Sequence, residues 1–308
     1  MALWPAVSGN AINGLGQSSP SRARAVYWHK PDLTPHGPLQ KWFYAQSPEV
    51  VAEARALRQK VIDEPLGPLA GEKASLAAEE WTAGVKQAAF AAGADDVGIA
   101  RMRAEWVFEG LEVPAQQWII VIAVAHEYEK IRMAPQPEAA AEVIRQYARG
   151  NKVAKTVATW IRSLGHEAVP HGGPMAGPVL LIPPAIECGL GELGKHGSLI
   201  HRRLGASFRL ASVLTDIPLV ADRPDRFGAD EFCLHCRVCA QECPPDAIHE
   251  SKQMVRGSPK WYVDFDKCLP YFNESQGCAI CIAVCPWSLP GVAANLVEKM
   301  SRRRPQGG

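Results

Sequence analysis

Apolar positions along this chain recur with two different periods, and the switches between them mark out helices and strands. From Pro48 to about Ile62, Val50, Val51, Ala54, Leu57 and Val61 recur every three or four residues, the period of a helix with one apolar face, and Glu64-Pro65-Leu66-Gly67-Pro68 ends it. A second helix is predicted from about Ser75 to Ala92, stopping at Gly93. Asp95 to Ala100 reads as a short strand. Trp118 to Ala125 reads as a buried one, because it is apolar on both faces. Between Pro137 and Gly165 the stripe Val143, Tyr147, Ala154, Val157, Ile161 and Leu164 predicts a long helix, with a break near Gly150-Asn151. There follow a strand at Glu167 to Val169, the loop His171-Gly172-Gly173-Pro174, a helix at about Pro183 to Cys188, a glycine-rich turn to Gly197, and a last strand at Phe208 to Thr215. Residues 1–35, rich in Gly, Ser and Pro, read as an extended arm on the surface of the main domain, with order beginning near Trp42-Phe43-Tyr44. Helices alternating with strands point to an α/β layer domain.

Composition narrows the class. With 308 residues, 47% hydrophobic and 21% charged, the chain can bury a core, and its length suggests about two domains. A net charge of +1 argues against nucleic acid as the main partner, and Arg302, Arg303 and Arg304 are no more than a short basic end. No run approaches the length of a membrane span, and the amino terminus has no apolar core behind positive charge.

The chemistry is concentrated in the cysteines. Of nine, eight fall in two matched sets: Cys233, Cys236, Cys239 and Cys243 before Pro244, then Cys268, Cys278, Cys281 and Cys285 before Pro286. Three cysteines at two-residue gaps and a fourth before a proline form the run by which bacterial ferredoxins hold cubane iron–sulfur clusters, the fourth serving the other cluster. The expected sets are Cys233, Cys236, Cys239 and Cys285 for one 4Fe-4S cluster, and Cys268, Cys278, Cys281 and Cys243 for the second. Zinc, the competing reading, more often takes two short cysteine hairpins across a longer spacer. Reduced thiolate ligands also suit a reducing compartment.

Outside the cysteine runs, spacing says less. The glycines at 189, 191, 194 and 197 lack the dinucleotide spacing and follow a helix; a tight connection is the plainer reading, and close approach of a flat cofactor the functional one. Tyr147 on an apolar stripe reads as a core tyrosine. Arg209 in an apolar strand must be paired or face a cavity. Cys188 reads as a small hydrophobe, and His126, His171 and His196 as satisfied or surface histidines.

The order of these segments resembles the cobalamin-dependent reductive dehalogenases. The resemblance rests on Tyr147, Trp160-Ile161-Arg162-Ser163-Leu164-Gly165-His166-Glu167-Ala168, Cys188-Gly189-Leu190-Gly191-Glu192-Leu193-Gly194-Lys195-His196-Gly197, Arg209-Leu210, Leu214-Thr215-Asp216-Ile217-Pro218-Leu219 and the double cysteine motif. It implies a nitroreductase-like α/β (α+β) core holding a base-off corrinoid, with an appended two-cluster ferredoxin domain, and an oxidoreductase that cleaves a carbon–halogen bond. By the resemblance Tyr147 gives the proton that replaces the halide and Arg209 keeps it company. Gly172, Gly173, Gly189, Gly191, Gly194, Lys195, His196 and Gly197 touch the cofactor, and Val143 and Phe272 wall the substrate pocket. The expected divisions are 1–74 (arm and packing helix), 75–230 (corrinoid domain), 231–290 (cluster domain) and 291–308 (tail). The expected partners are an organohalide and a low-potential electron donor such as a ferredoxin, flavodoxin or reductase, with no DNA.

The chain departs from the family pattern in places. It shows no twin-arginine leader, so a cytoplasmic protein is expected, a removed leader being the other reading. Only about twenty residues follow Cys285, where many members have a longer segment, and the loop at Gly172-Gly173-Pro174 carries no polar side chain of the kind some members place near the substrate. The related epoxyqueuosine reductases, which modify transfer RNA, place a catalytic aspartate where Met175 stands here, which favours the dehalogenase reading. A non-catalytic electron carrier is the alternative from another class; it leaves Arg209 and a corrinoid unexplained.

Overall fold

The structure, a computed structural model, describes residues 4–28, 30–173 and 177–303. The chain begins with α1 (Gly9–Ile12), α2 (Gly37–Ala45) and α3 (Glu49–Asp63). It continues through α4 (Ala78–Ala91), β1 (Asp96–Arg101), β2 (Trp118–Ala125), α5 (Tyr128–Ile131), α6 (Pro137–Ser163), β3 (Ala168–Gly172), α7 (Ile182–Glu187), β4 (Glu192–Leu193), β5 (Leu199–Ile200) and β6 (Phe208–Thr215). The last part holds α8 (Ala229–His235), α9 (Val238–Gln241), β7 (Gln253–Val255), β8 (Ser258–Lys260), α10 (Phe265–Glu274), α11 (Ile280–Ala283) and α12 (Val292–Arg303).

The main sheet has the order β1-β2-β6-β3, and every pairing in it is antiparallel. Helices and strands therefore alternate in sequence, yet no two neighbours in this sheet run parallel, and the domain is mixed α+β. Strand β2 is central and apolar on both faces because both are covered. Trp118, Ile120, Ile122 and Val124 join α4 and α6 in one core, while Ile119, Val121 and Ala123 join α7, Leu190 and Leu199 in another. Strand β3 lies at an edge, where Pro170 costs no ladder bond on its open side.

Helix α6 runs without the expected break at Gly150-Asn151. Gly150 instead brings the helix close to the sheet: an added Cβ would sit 3.3 Å from Ala211 Cβ and 3.4 Å from Val124 Cγ2. Asn151 packs equally tightly beneath Gly172, whose added Cβ would be 2.5 Å from Asn151 Cβ. The pair marks a helix-to-sheet contact.

The amino-terminal arm lies mainly on the cysteine-bearing part of the molecule, a departure from the expected place on the α/β core. Gly9 N–H donates to Asp266 Oδ1 at 2.6 Å, Asn10 to Asp264 at 2.8 Å, and the buried Tyr27 hydroxyl to Asn273 at 2.7 Å. Helix α3 packs on α6 through Val51 and Ala54 against Ala140 and Ala141. Residues 292–303, expected within a tail, form α12, and its buried Met300 closes over Gly228 at the start of α8.

Candidate active site

Strand β3 stops at Gly172, opposite Ala211, so Phe208, Arg209 and Leu210 continue β6 with β2 on one side and no strand on the other. That open stretch of ladder forms one wall of a cavity of about 730 Å³. Trp28, Phe108, Leu180 and Leu199 supply apolar walls, Gly173 and Gly177 bare backbone, and Tyr147 from α6 a phenol. The residues fit a large flat cofactor: an apolar surround, a few polar groups at Ser198 and Ser212, and glycine backbone where a plane must come close.

Tyr147 and Arg209 meet at this cavity. The Arg209 guanidinium carbon is 5.5 Å from the centre of the Tyr147 ring, within cation–π range, and its Nη1 donates to Phe208 O at 2.9 Å. The core reading of Tyr147 gives way to a half-buried ring on a cavity wall. A second guanidinium, Arg58 of α3, lies 5.9 Å from the same ring. The Nε atoms of Arg58 and Arg209 are buried without a partner.

The eight cysteines gather as two fours. Burial pushes the Cys233 thiol up to about 12, with Cys239 and Cys236 adding to it, and Cys285 likewise to about 12, with Cys233, Cys239 and Cys236 as its thiol neighbours. Cys268 is pushed up to about 12 by burial and then by Cys243 and Cys278. Cys281 is pushed well above the usual thiol range by burial, then by Cys278, Cys268, Cys239 and Cys243. Crowded buried thiols of this kind shed their protons only to a metal centre that takes up the charge. Among the described residues no three His, Cys, Asp or Glu side chains converge as they would around a single ion.

Residues 232–289 match the family model of the 4Fe-4S dicluster domain. The tetrachloroethene reductive dehalogenase of Dehalobacter restrictus is 34% identical over 211 residues, 64% of this chain and 37% of that protein. A catabolic reductive dehalogenase solved in complex with 3-bromo-4-hydroxybenzoic acid superposes with a TM-score of 0.77 at 25% identity, over 93% of this chain and 45% of the other. A second, whose structure was described as suggesting a mechanism for B12-dependent dehalogenation, gives 0.73 at 25% identity, over 86% of this chain and 43% of the other. The chain is related to the reductive dehalogenases. Epoxyqueuosine reductases are also relatives, that of Leadbetterella byssophila at 35% identity over 34% of this chain and 35% of its own length. This chain spans only 37 to 50% of the length of the tetrachloroethene reductive dehalogenases it matches in sequence.

In this reductive dehalogenase relative the glycine-rich turn has a different place from the one expected. Gly189 and Gly197 have φ of +81° and +74°, and Cβ atoms at Gly189, Gly191 and Gly194 would fall 2.6 Å from Arg223 O, 2.5 Å from Ile200 O and 2.7 Å from the His196 ring. These glycines close the turn on itself and its neighbours, the plainer of the two readings. Lys195, almost wholly buried, lays its ammonium 5.0 Å from the Trp261 ring centre, and its backbone N–H donates to Cys233 Sγ at 3.4 Å. Lys195 thus faces the cysteine module, His196 packs its ring against Gly194 within the turn, and neither is among the residues lining the large cavity. Glu192 explains why the turn accompanies the cysteines. Its Oε2 accepts from the backbone N–H groups of Phe227, Gly228 and Ala229 at 3.1, 2.8 and 2.8 Å, fixing the start of α8, which carries Cys233.

Among the other expected site residues, Gly173 lines the cavity and Gly172 packs on Asn151. Val143 packs instead with Ile131, Ala139 and Cys285 near the cysteine module. Phe272 stacks on Phe43 at 5.6 Å in an aromatic cluster with Tyr27 and Trp28; it borders a smaller cavity of about 350 Å³, separated from the first by Trp28, Phe108 and Leu180. Pro174 and Met175 lie outside the described residues, as does Arg304. Cys188 packs against Gly98, its thiol pushed up to about 12 by burial.

The three histidines are neither satisfied throughout nor on the surface. His126 and His196 are buried with unpartnered Nε2 atoms, and His171 lies on the cavity wall. Burial holds all three below the usual histidine range, His196 down to about 4, and the Arg209 charge lowers His126 further. Arg58 went unrecognised as well. Its only sequence signal is an arginine three residues after Arg55 on a helix with a helix-facing stripe.

Proposed function

We propose that this chain catalyses reductive dehalogenation of an organohalide, with a corrinoid in the large cavity and two 4Fe-4S clusters in the cysteine module. The observation that carries the reading is the Tyr147 and Arg209 pair on the wall of a cofactor-sized cavity, in a chain that also bears the dicluster module. The net reaction takes two electrons and one proton: the carbon–halogen bond breaks, halide leaves, and a carbon–hydrogen bond forms. The corrinoid, when bound, supplies a low-valent cobalt able to reduce that bond. Tyr147 holds the proton at its phenolic oxygen, facing the cavity. Arg209 fixes the ring and stabilises the phenolate left after transfer. The apolar walls keep water from competing with the organohalide.

Cys233, Cys236, Cys239 and Cys285 hold one cluster, and Cys268, Cys278, Cys281 and Cys243 the other. Cys268 borders the smaller cavity next to Trp28, Phe108 and Leu180, which makes its cluster the one nearer the corrinoid. Cys236 borders a surface groove with Leu234, His235 and Arg237, where a low-potential electron donor reaches the outer cluster. No helix of the described residues is long and apolar enough to cross a membrane.

The test is anaerobic incubation of the reconstituted protein with reduced methyl viologen and a panel of chlorinated and brominated phenols and alkenes, measuring halide. Transfer RNA carrying epoxyqueuosine goes in the same panel. Corrinoid-dependent halide release is expected. Conversion of the transfer RNA alone would replace this reading with the modification enzyme, and failure to bind a corrinoid would leave an electron carrier.

A further inference from the structure

One arginine, Arg209, lines the proposed site, a second, Arg58, lies behind its wall at Tyr147 and Gly173, and a third, Arg55, stands one helical turn from Arg58. Arg55 and Arg58 project from one face of α3, and Arg209 comes from the open end of β6. Among the described residues none of the three forms a salt bridge, and each keeps a buried guanidinium nitrogen with no hydrogen-bond partner: Arg55 Nη2, Arg58 Nε and Arg209 Nε. They are not equivalent. Arg55 is held by Tyr44 O at 3.2 Å and by the Ser47 hydroxyl, and lies 4.5 Å over the Tyr44 ring. Arg58 and Arg209 share the Tyr147 ring. Arg58 also touches the cavity wall, since a Cβ on Gly173 would fall 2.7 Å from its Nη2.

A half-buried guanidinium with an empty donor is costly unless an anion completes it. Here two such groups flank the phenol that faces the cavity. We infer that Arg58, with Arg209, forms an anion-recognising subsite, and that the preferred substrate is an organohalide bearing its own negative oxygen, a carboxylate or a phenolate. The inference rests on the dehalogenase reading and deepens it. Arg58 binds the substrate anion and sets the carbon–halogen bond beside the Tyr147 hydroxyl. Arg55 positions Tyr44 and supports the charge from behind.

The experiment uses the corrinoid-loaded, cluster-reconstituted protein without reductant, so that no turnover occurs. Isothermal titration compares 3-bromobenzoate with its methyl ester, and 2,6-dibromophenolate with 2,6-dibromoanisole. At least one anion is expected to bind about tenfold or more tightly than its neutral partner. That preference should weaken with salt, fall about 10- to 100-fold in Arg58→Gln, and return in part in Arg58→Lys. Equal binding within both pairs, or a preference untouched by Arg58→Gln, overturns the inference. So does a preference that survives while Arg58→Gln loses corrinoid, because the arginine would then serve the cofactor's phosphate. The salt dependence is read on the unmodified protein and stands even if a variant fails to fold. Anion preference without halide release under reductant would sink the dehalogenase reading alone. Halide release from neutral alkenes with no anion preference would sink this inference alone.

Discussion

Replacing Tyr147 with phenylalanine separates catalysis from packing at a single atom. Among the described residues the side chain is engaged through its ring, by Arg209 at 5.5 Å and Arg58 at 5.9 Å, and phenylalanine keeps both contacts. The change removes no buried apolar surface, so the stability cost should not exceed about one hydrogen bond, ~1 kcal/mol. Iron content, corrinoid content and melting temperature should stay close to those of the parent. Turnover should not, since a positioned general acid contributes ~10²- to 10⁴-fold. Halide release under reduced methyl viologen is the assay, with Co(II) paramagnetic resonance confirming that the cofactor remains. Arg209→Ala should also slow the reaction, and the double variant should lose much less than the product of the two single losses, because the residues act as a unit. Halide release by Tyr147→Phe within about threefold of the parent would refute the proton-donor role, while corrinoid binding stood untouched.

The cysteine sets predict close to eight iron and eight sulfide per chain after anaerobic reconstitution, and about half the iron when either Cys243 or Cys285 becomes serine. Zinc uptake under those conditions, or full iron in both variants, would contradict the crossed pairing. Glu192→Ala leaves three backbone donors at the start of α8 without their acceptor, so denaturation midpoints should fall by an amount worth ~1–3 kcal/mol and iron should be lost with them; an unchanged midpoint and full iron would remove Glu192 from this role. His171 stands on the cavity wall with its ring covered by the backbone at Gly177, where a Cβ would come within 2.4 Å. The Co(II) signal should therefore show no nitrogen splitting from a protein histidine, and its appearance would place His171 on the metal.

Elements whose order is written locally were the most legible. Trp118–Ala125 has its expected bounds because a strand covered on both faces is a continuous apolar run with polar ends, and Phe208–Thr215 has them although Arg209 and Ser212 interrupt its apolar run. The cysteine pairs were legible because ligand spacing constrains a cluster more tightly than packing constrains a core. Gly150-Asn151 misled because a small residue in a helix signals either a weak point or a close neighbour, and only the sheet beneath decides between them. Lys195, expected at the cofactor, lies beside the cysteine module for a related reason. A buried lysine needs a partner, and its partner here, Trp261 beside Cys233, lies 66 residues onward in sequence. Tyr147 was visible as a stripe residue, but its companion Arg58 was not. An arginine on a surface-patterned helix becomes notable only when the fold shows it beside Tyr147 with no salt bridge among the described residues.

Under the proposed function, the arrangement of the cavities would give the electron route a direction. The larger cavity and the smaller one share Trp28, Phe108 and Leu180, and Cys268 lines the smaller. Cys281 is half-buried and feels both Cys268 and Cys239, so it lies where the two sets of four meet. Cys236, by contrast, borders a groove open to solvent. With clusters on both sets, as proposed, an electron entering beside Cys236 would pass through the first set, cross at Cys239 and Cys281, and leave the second set at Cys268 behind a wall of aromatic and aliphatic side chains. Lys195 sits beside the first set with its charge buried against Trp261, and Glu192 ties that same turn to α8. Under the proposed function, a positive charge next to the outer cluster would make its reduction easier. Passage inward would then depend on the inner cluster being emptied toward the cavity, and the turn that resembled a cofactor cradle would act on the cofactor through the clusters.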